Sequence, residues 1–233
     1  DNNINCLLQD DNGDLLIGTP SGLSVFDGLD FRIIYLSDEM ASNHITALHV
    51  DEDGDTYVGA LDGSIYRIDG PGATKVLTEV GINTPITDIH SFDGRLLVAT
   101  DGQGLFVSSN GNTVNIDRAS GLRDLNVMSV QDVDGIIYLG CKAGLQQVTL
   151  TEGKAIVNHY GMNEGFLARE CKRGGMLKAG KQLWVATAKG VEVISTSELT
   201  PNRHQPTTFI HDLQLFYRIV DWRNRGYQVD ANG

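Results

Sequence analysis

Short apolar runs alternate along this chain with breaks rich in Gly, Asp and Asn, and the alternation keeps a steady beat. The runs are three to seven residues long and rich in Val, Ile, Leu and Tyr. That is too short for helices, and the bounding residues are turn formers, so the pattern predicts β-strands joined by tight turns. The stretch from Asn43 to Ile68 shows one complete unit: an apolar run opening at Ile45, an acidic Gly turn, a short run closing at Gly59, a second Gly turn, and another apolar run. The opening position recurs as Ile4, Ile45, Ile86 and Val127, each 41 residues from the next. The small closing residue recurs as Gly18, Gly59, Ala99, Gly140 and Ala186, at spacings of 41, 40, 41 and 46. The glycine opening the third run recurs as Gly22, Gly63, Gly104, Gly144 and Gly190. A sustained period of this length means stacked copies of one supersecondary unit.

Four strands per repeat match one blade of a β-propeller. The predicted fold is all-β, a β-propeller built of five four-stranded antiparallel blade repeats over about 3–40, 43–80, 84–120, 125–162 and 166–199, either complete or part of a larger propeller. The fifth repeat is the loosest, with strands at Gly175–Lys178, Leu183–Ala186 and Val191–Ile194 and a fourth that is hard to place. Asn12-Gly13, Asp53-Gly54, Asp93-Gly94 and Asp134-Gly135 tolerate positive φ and predict two-residue hairpins between first and second strands. The small residues closing the second runs let neighbouring backbones approach near a crowded axis. Leu15-Leu16-Ile17 and Ile136-Ile137 are continuous rather than alternating, as expected of strands covered on both faces. Past Leu199 the register is lost; Pro201 and Pro206 mark a linker, and Thr207–Val220 is a further strand-like run.

A formal charge of −12 excludes the basic face that nucleic-acid binding requires. No run approaches the roughly eighteen apolar residues of a membrane helix, so no membrane contact is expected within this stretch. The chain opens at Asp1 without a Met, which reads as a cut within a longer protein. Cys6, Cys141 and Cys171 are odd in number and carry no metal-binding spacing. Cys141 stands where other repeats have Thr19, Ala60, Thr100 and Thr187, which suits a small buried residue.

Recognised catalytic motifs are missing, and no cofactor is expected. The acidic turns Asp10 to Asp14 and Asp51 to Asp55 look superficially like calcium loops. They lack the sixth-place Gly and twelfth-place Glu of an EF-hand and read better as turns. His49 and His90 occupy equivalent places in successive first strands and read as blade-packing residues. In a propeller the loops joining blades and those between second and third strands share one end. There lie His44, Asp62, Asp101, Gln103, Arg123, Lys142, Arg169 and Lys189, the candidate ligand-binding residues. Side chains of this kind suit a small polar molecule or an oligosaccharide held by planar hydrogen bonds.

The repeat resembles the two-component regulator propeller family, whose blades read as Asp, a Gly turn, Leu-Trp-Ile-Gly-Thr, then Gly-Leu and a Phe or Asp. Asp11-Asn12-Gly13-Asp14-Leu15-Leu16-Ile17-Gly18-Thr19 followed by Gly22-Leu23 and Phe26-Asp27-Gly28 follows that pattern, and Leu183-Trp184-Val185-Ala186-Thr187 keeps the Trp. Glu170–Leu177 is similar to the family's atypical last blade, and His204–Phe216 to the start of the Ig-like triple-tyrosine module that follows, giving 200–233 as linker and first strand of that module. Family propellers usually have seven blades, and five repeats are present here. The resemblance implies a non-catalytic, periplasmic or extracellular ligand-sensing region of a hybrid two-component histidine kinase, with self-association or further blades of the same receptor as partners. Two other readings stand beside it: a propeller glycosidase or lyase using Asp62 and Asp101, and a protein-binding scaffold.

Overall fold

In the computed structural model the chain divides into two compact units, Asp1–Leu199 and Thr200–Gly233. The structure describes residues 3–36, 43–70, 72–78, 80–151, 154–161, 166, 170–199, 213–215 and 218–220. Every described element is a strand or a turn, and the first unit is a β-propeller of five blades. Blade 1 is β1 (Cys6–Gln9), β2 (Leu15–Thr19), β3 (Gly22–Phe26) and β4 (Phe31–Ile34); blade 2 is β5 (Ile45–Val50), β6 (Thr56–Ala60), β7 (Ile65–Asp69) and β8 (Gly72–Val76). Blade 3 is β9 (Ile86–Phe92), β10 (Arg95–Thr100), β11 (Leu105–Ser109) and β12 (Asn112–Ile116); blade 4 is β13 (Val127–Val133), β14 (Ile136–Cys141), β15 (Gly144–Thr151) and β16 (Lys154–Tyr160). Blade 5 shows three strands among the described residues, β17 (Cys171–Ala179), β18 (Gln182–Thr187) and β19 (Gly190–Ser195). Each blade is an antiparallel meander in chain order. In the second unit the described strands are β20 (Leu213–Leu215) and β21 (Arg218–Val220), paired antiparallel.

Two kinds of hairpin join first to second strands. Asp93-Gly94 and Asp134-Gly135 both take positive φ (51° and 66°, 52° and 78°), the two-residue turn the dipeptides predict. Asn12-Gly13 and Asp53-Gly54 do not: only the Gly is at positive φ, and each sits in a five-residue loop. In both loops the aspartate at the head turns its carboxylate onto the loop's own amides, whereas Asp132, at the same offset before Asp134-Gly135, is paired with His90 and Lys178. Asp10 Oδ1 accepts the Asn12 and Asp14 amides, and Asp51 Oδ1 accepts those of Asp53 and Asp55, an Asx cap that favours the longer turn. Those carboxylates are engaged by their own backbone. Among the described residues no group of three or more His, Cys, Asp or Glu is placed to hold a metal.

The core lies between blades rather than within them. The buried apolar residues fall into four clusters, one for each junction of successive blades. On the face of each blade turned to its predecessor, first and second strands pair Leu48 with Val58, Ile89 with Val98, Val130 with Leu139 and Met176 with Val185. Val58, Val98, Leu139 and Val185 are fully buried there. At the small closing residue the next blade's first strand comes very close: a Cβ on Gly59 would stand 2.5 Å from Ile86 Cγ2 and 2.8 Å from its Cβ. First strands are also bonded polar to polar. Asn5 Nδ2 donates to Ile45 O at 2.7 Å, and at the equivalent place Thr87 Oγ1 donates to Val127 O. One position further, Asp88 Oδ2 accepts the Val130 amide at 2.8 Å.

His49 and His90 belong to this lacing. His49 Nε2 meets Ser91 Oγ at 2.8 Å, His90 Nε2 meets Asp132 Oδ1 at 3.0 Å, and the two rings sit edge to face at 5.4 Å. Lys178 Nζ, 3.5 Å from the other Asp132 oxygen, extends the chain into blade 5. Burial, the neighbouring His90 and, in the opposite sense, Asp51 bring the His49 ring down to about 4. Burial lifts Asp88 to about 7 against the two amides that favour its charged form. Cys141 is fully buried as expected, and burial raises all three thiols, Cys6 to about 12 and Cys171 to about 11.

Two predictions follow from this packing. Gly59→Ala forces a methyl into Ile86 and is expected to lower stability by about 1–3 kcal/mol, read from urea unfolding; an unchanged midpoint would show that the junction gives way. The second concerns pH. The His49 ring protonates near 6.5 when unfolded and near 4 when folded, so its contribution to stability is complete above 6.5 and is lost as pH falls toward 4. Relative to its parent, His49→Gln should gain about 2 kcal/mol between pH ~7 and pH ~4.5. Asp88 has the opposite sign, its contribution being present at low pH and lost as pH rises through about 7, so Asp88→Asn should lose stability relative to its parent on acidification. Unfolding midpoints of both variants that move in parallel with pH would contradict the assignment.

Candidate functional site

The end of the propeller that carries the blade-joining loops is knitted by backbone bonds. The Leu61 amide donates to His44 O, the Asp101 amide to Pro85 O, the Gly102 and Gly104 amides to Leu125 O, and the Glu170 amide to Lys142 O. Seven of the eight candidate residues lie on these loops; Arg169 falls outside the described residues. They do not form one cluster. Asp62 caps its own turn, taking the Ser64 amide and hydroxyl at 2.9 Å each. Gln103 holds a neighbouring loop, its Oε1 accepting the Asn83 amide at 2.9 Å and the Thr84 hydroxyl at 3.0 Å. His44 is half-buried beside Leu61.

The junction of blades 3 and 4 brings the others together. Lys142 Nζ meets Asp101 Oδ1 at 2.8 Å, and Asp101 bridges Asn126 through the backbone. Buried Gln146 organises the loop above: its Oε1 accepts the Arg123 amide at 2.7 Å and its Nε2 donates to Asp124 O at 2.9 Å. Asp124, also buried, takes both the amide and the side chain of Asn126 through one oxygen and the Ala143 amide at 2.8 Å through the other. The loop therefore rests on a satisfied buried network, while the Arg123 side chain above it is exposed. Lys189 is exposed on the corresponding turn of blade 5.

A cleft of about 340 Å³ opens elsewhere, between blades 2 and 3 among the hairpins of the opposite end. Asp51, Asp55, Tyr57 and Arg67 line one wall, and Ser91, Phe92 and Arg95 the other. Arg67 lies 3.4 Å from both Asp55 and Asp69, and its buried Nε makes no well-formed hydrogen bond. Arg95 pairs with Asp93 at 3.0 Å and stands 5.4 Å over the Phe92 ring. The Tyr57 hydroxyl, bonded to Asp51, is pushed up by burial and then by the carboxylates of Asp51 and Asp55. Such walls offer donors, acceptors and aromatic surface to a polar guest. Sequence reasoning missed this cleft because its walls come from different repeats. The available signal was Arg67, which stands at a strand position where the other repeats carry Val25, Val107, Gln147 and Val193.

The family model described as two component regulator propeller matches residues 1–21. No curated protein matches. The fold is similar to the extracellular domain of the hybrid two component system BT3049 from B. thetaiotaomicron, with a TM-score of 0.67 and 20% identity over 81% of this chain and 27% of that one. It is similar also to the extracellular domain of the hybrid system BT4673 from the same organism, with a TM-score of 0.65 and 20% identity over 82% of this chain and 29% of that one. The WD40 beta propeller domain of Doa1 matches at a TM-score of 0.66 with 12% identity, over 84% of this chain and 66% of that one. The chain thus spans less than a third of the length of the two hybrid-system domains. The first half of the first repeat thus matches the two component regulator propeller model, and the fold is similar to that of the extracellular domains of those hybrid systems.

Proposed function

We propose that this chain is part of a non-catalytic, ligand-sensing propeller of a two-component sensor, lying on the periplasmic or extracellular side, and that it binds a polar ligand such as an oligosaccharide. The observation that carries the reading is the contrast between framework and loops. The junctions repeat the same apolar pairs blade after blade, whereas the polar residues on the loop end differ from repeat to repeat. A fixed scaffold with a changing surface suits recognition. The likeness to extracellular domains of hybrid systems supports the sensor context. The site favoured is the junction of blades 3 and 4, where Asp101, Lys142 and Arg123 come from two repeats above a buried network. A ligand there touches two blades at once, so its binding energy can favour one arrangement of receptor chains over another. The carboxylates available to a hydrolase are already engaged, Asp62 by Ser64 and Asp101 by Lys142.

Calorimetry against a panel of oligosaccharides tests the reading. Arg123→Ala and Lys142→Ala are expected to leave stability within about 0.5 kcal/mol and to weaken binding by about 1–3 kcal/mol, as loss of a charged hydrogen bond does. If Arg67→Ala or Arg95→Ala weakens binding instead, the ligand occupies the cleft between blades 2 and 3. Turnover of any sugar in the same mixtures would overturn the sensor reading.

A further inference from the structure

The cleft between blades 2 and 3 exists because two polar residues interrupt the repeat. Arg67 stands where blades 1 and 3 place Val25 and Val107, which pair there with the buried leucines Leu16 and Leu97. Across the junction Ser108 stands where blades 2 and 4 place Ile68 and Val148. Apolar side chains fill the corresponding region between blades 1 and 2 and between blades 3 and 4. Here about 340 Å³ stays open. The cleft has a buried part and a rim, and the two differ in chemistry. In the buried part Arg67 Nε is shielded from solvent and makes no well-formed hydrogen bond, with Asp69 Oδ1 3.4 Å away. A shielded donor without an acceptor is unfavourable, so an acceptor from outside is favoured there. At the rim Glu52 and Asp53 are exposed on the blade 2 hairpin, and their carboxylates form no hydrogen bond or ion pair among the described residues. A cation is favoured at that side. Half-buried Val76, Leu77 and Leu96 supply an aliphatic surface in the same walls.

We propose that this cleft binds a small zwitterion, an aliphatic amino acid or dipeptide, with its carboxylate on Arg67, its ammonium at Glu52 and Asp53, and its side chain against Val76, Leu77 and Leu96. A simple anion would meet the carboxylates of Asp51, Glu52, Asp53 and Asp55 on the blade 2 wall. A simple cation would leave Arg67 unanswered and face Arg95. A sugar hydroxyl can donate and accept, but it gains little from an aliphatic wall, whose burial rewards carbon. The volume lies at the lower end of the roughly 300–1,000 Å³ of small-molecule sites, which suits one or two residues and not a longer chain. The site is separate from the junction of blades 3 and 4, and neither reading needs the other.

Calorimetry of the 233-residue chain with leucine and with leucyl-leucine tests this. At least one of them is expected to bind at one site per chain. Its N-acetylated and C-amidated forms, each lacking one charge, should bind about tenfold or more weakly, as loss of a charged contact does. Arg67→Met should weaken binding by a similar factor, and Glu52→Gln combined with Asp53→Asn should weaken it in the same direction. Ser108→Val, which puts the blade 4 residue into the cleft, should block binding and serves in place of Arg67→Met if that variant does not fold by circular dichroism. Arg123→Ala should leave these affinities unchanged, which separates this site from the one between blades 3 and 4. No binding of either compound at millimolar concentration overturns the proposal. So do capped forms that bind as well as the parent compound, binding that survives both Arg67→Met and Ser108→Val, or an oligosaccharide that displaces the bound compound from the cleft.

Discussion

Everything in the first unit depends on how closely one blade's first strand approaches the second strand of the blade before it. That distance is set at Gly18, Gly59 and Gly140, where a Cβ would stand 2.7 Å from Ile45, 2.5 Å from Ile86 and 2.9 Å from Met176 of the next blade's first strand. Once the approach is fixed, the apolar pairs on either side interlock, and the buried residues separate into one cluster per junction. An isolated blade is a thin sheet with no core of its own. Its stability comes from its neighbours, so junction energies rather than blade energies decide whether the array holds. Dispersion contacts are sensitive to gaps well below an ångström, which makes a small residue at these positions a requirement rather than a preference.

Apolar packing alone would leave blades free to slide along their strands, since one Leu or Val fits as well as another a residue away. The polar lacing removes that freedom. The Asn5 and Thr87 side chains each reach the first carbonyl of the next blade's inner strand, and His49–Ser91 and His90–Asp132 repeat one offset at successive junctions. A slip by one residue would break all of these and leave buried donors without acceptors, which costs more than the bonds themselves contribute. The result is a frame whose register is fixed at the axis. That allows the loops at its end to vary in sequence without moving the frame.

Much of this frame was legible in the sequence, because a period of about 41 and the turn dipeptides are local signals repeated several times. In blade 5 the second and third strands lie within a residue of their expected bounds, whereas β17 starts at Cys171, four residues before the expected Gly175. The extra residues belong to an irregular pairing between Cys171 and Met176 that no local pattern announces. Asn12-Gly13 and Asp53-Gly54 misled for a related reason: the dipeptide is the same as in a two-residue hairpin, but Asp10 and Asp51 take the amides of their own loops, whereas Asp132 at the same offset is held by His90 and Lys178 from other blades. The candidate site was the least legible part. That Asp101 and Lys142 pair, and that Gln103 is occupied by Asn83 and Thr84, depends on contacts between segments about 20 to 41 residues apart. Such contacts carry no pattern of their own in one sequence.

The difference between interior and end blades bears on where such a propeller can move. Interior junctions combine apolar packing with hydrogen bonds between first strands, so displacing one blade against the next would break both together. On blades 1 and 5, Leu7, Phe31, Leu177 and Trp184 are exposed, unlike the apolar residues at the junctions between described blades. Low-stability motions concentrate where contacts on one side are missing. The site proposed across blades 3 and 4 lies at an interior junction, where apolar packing and a buried hydrogen-bond network hold both blades together.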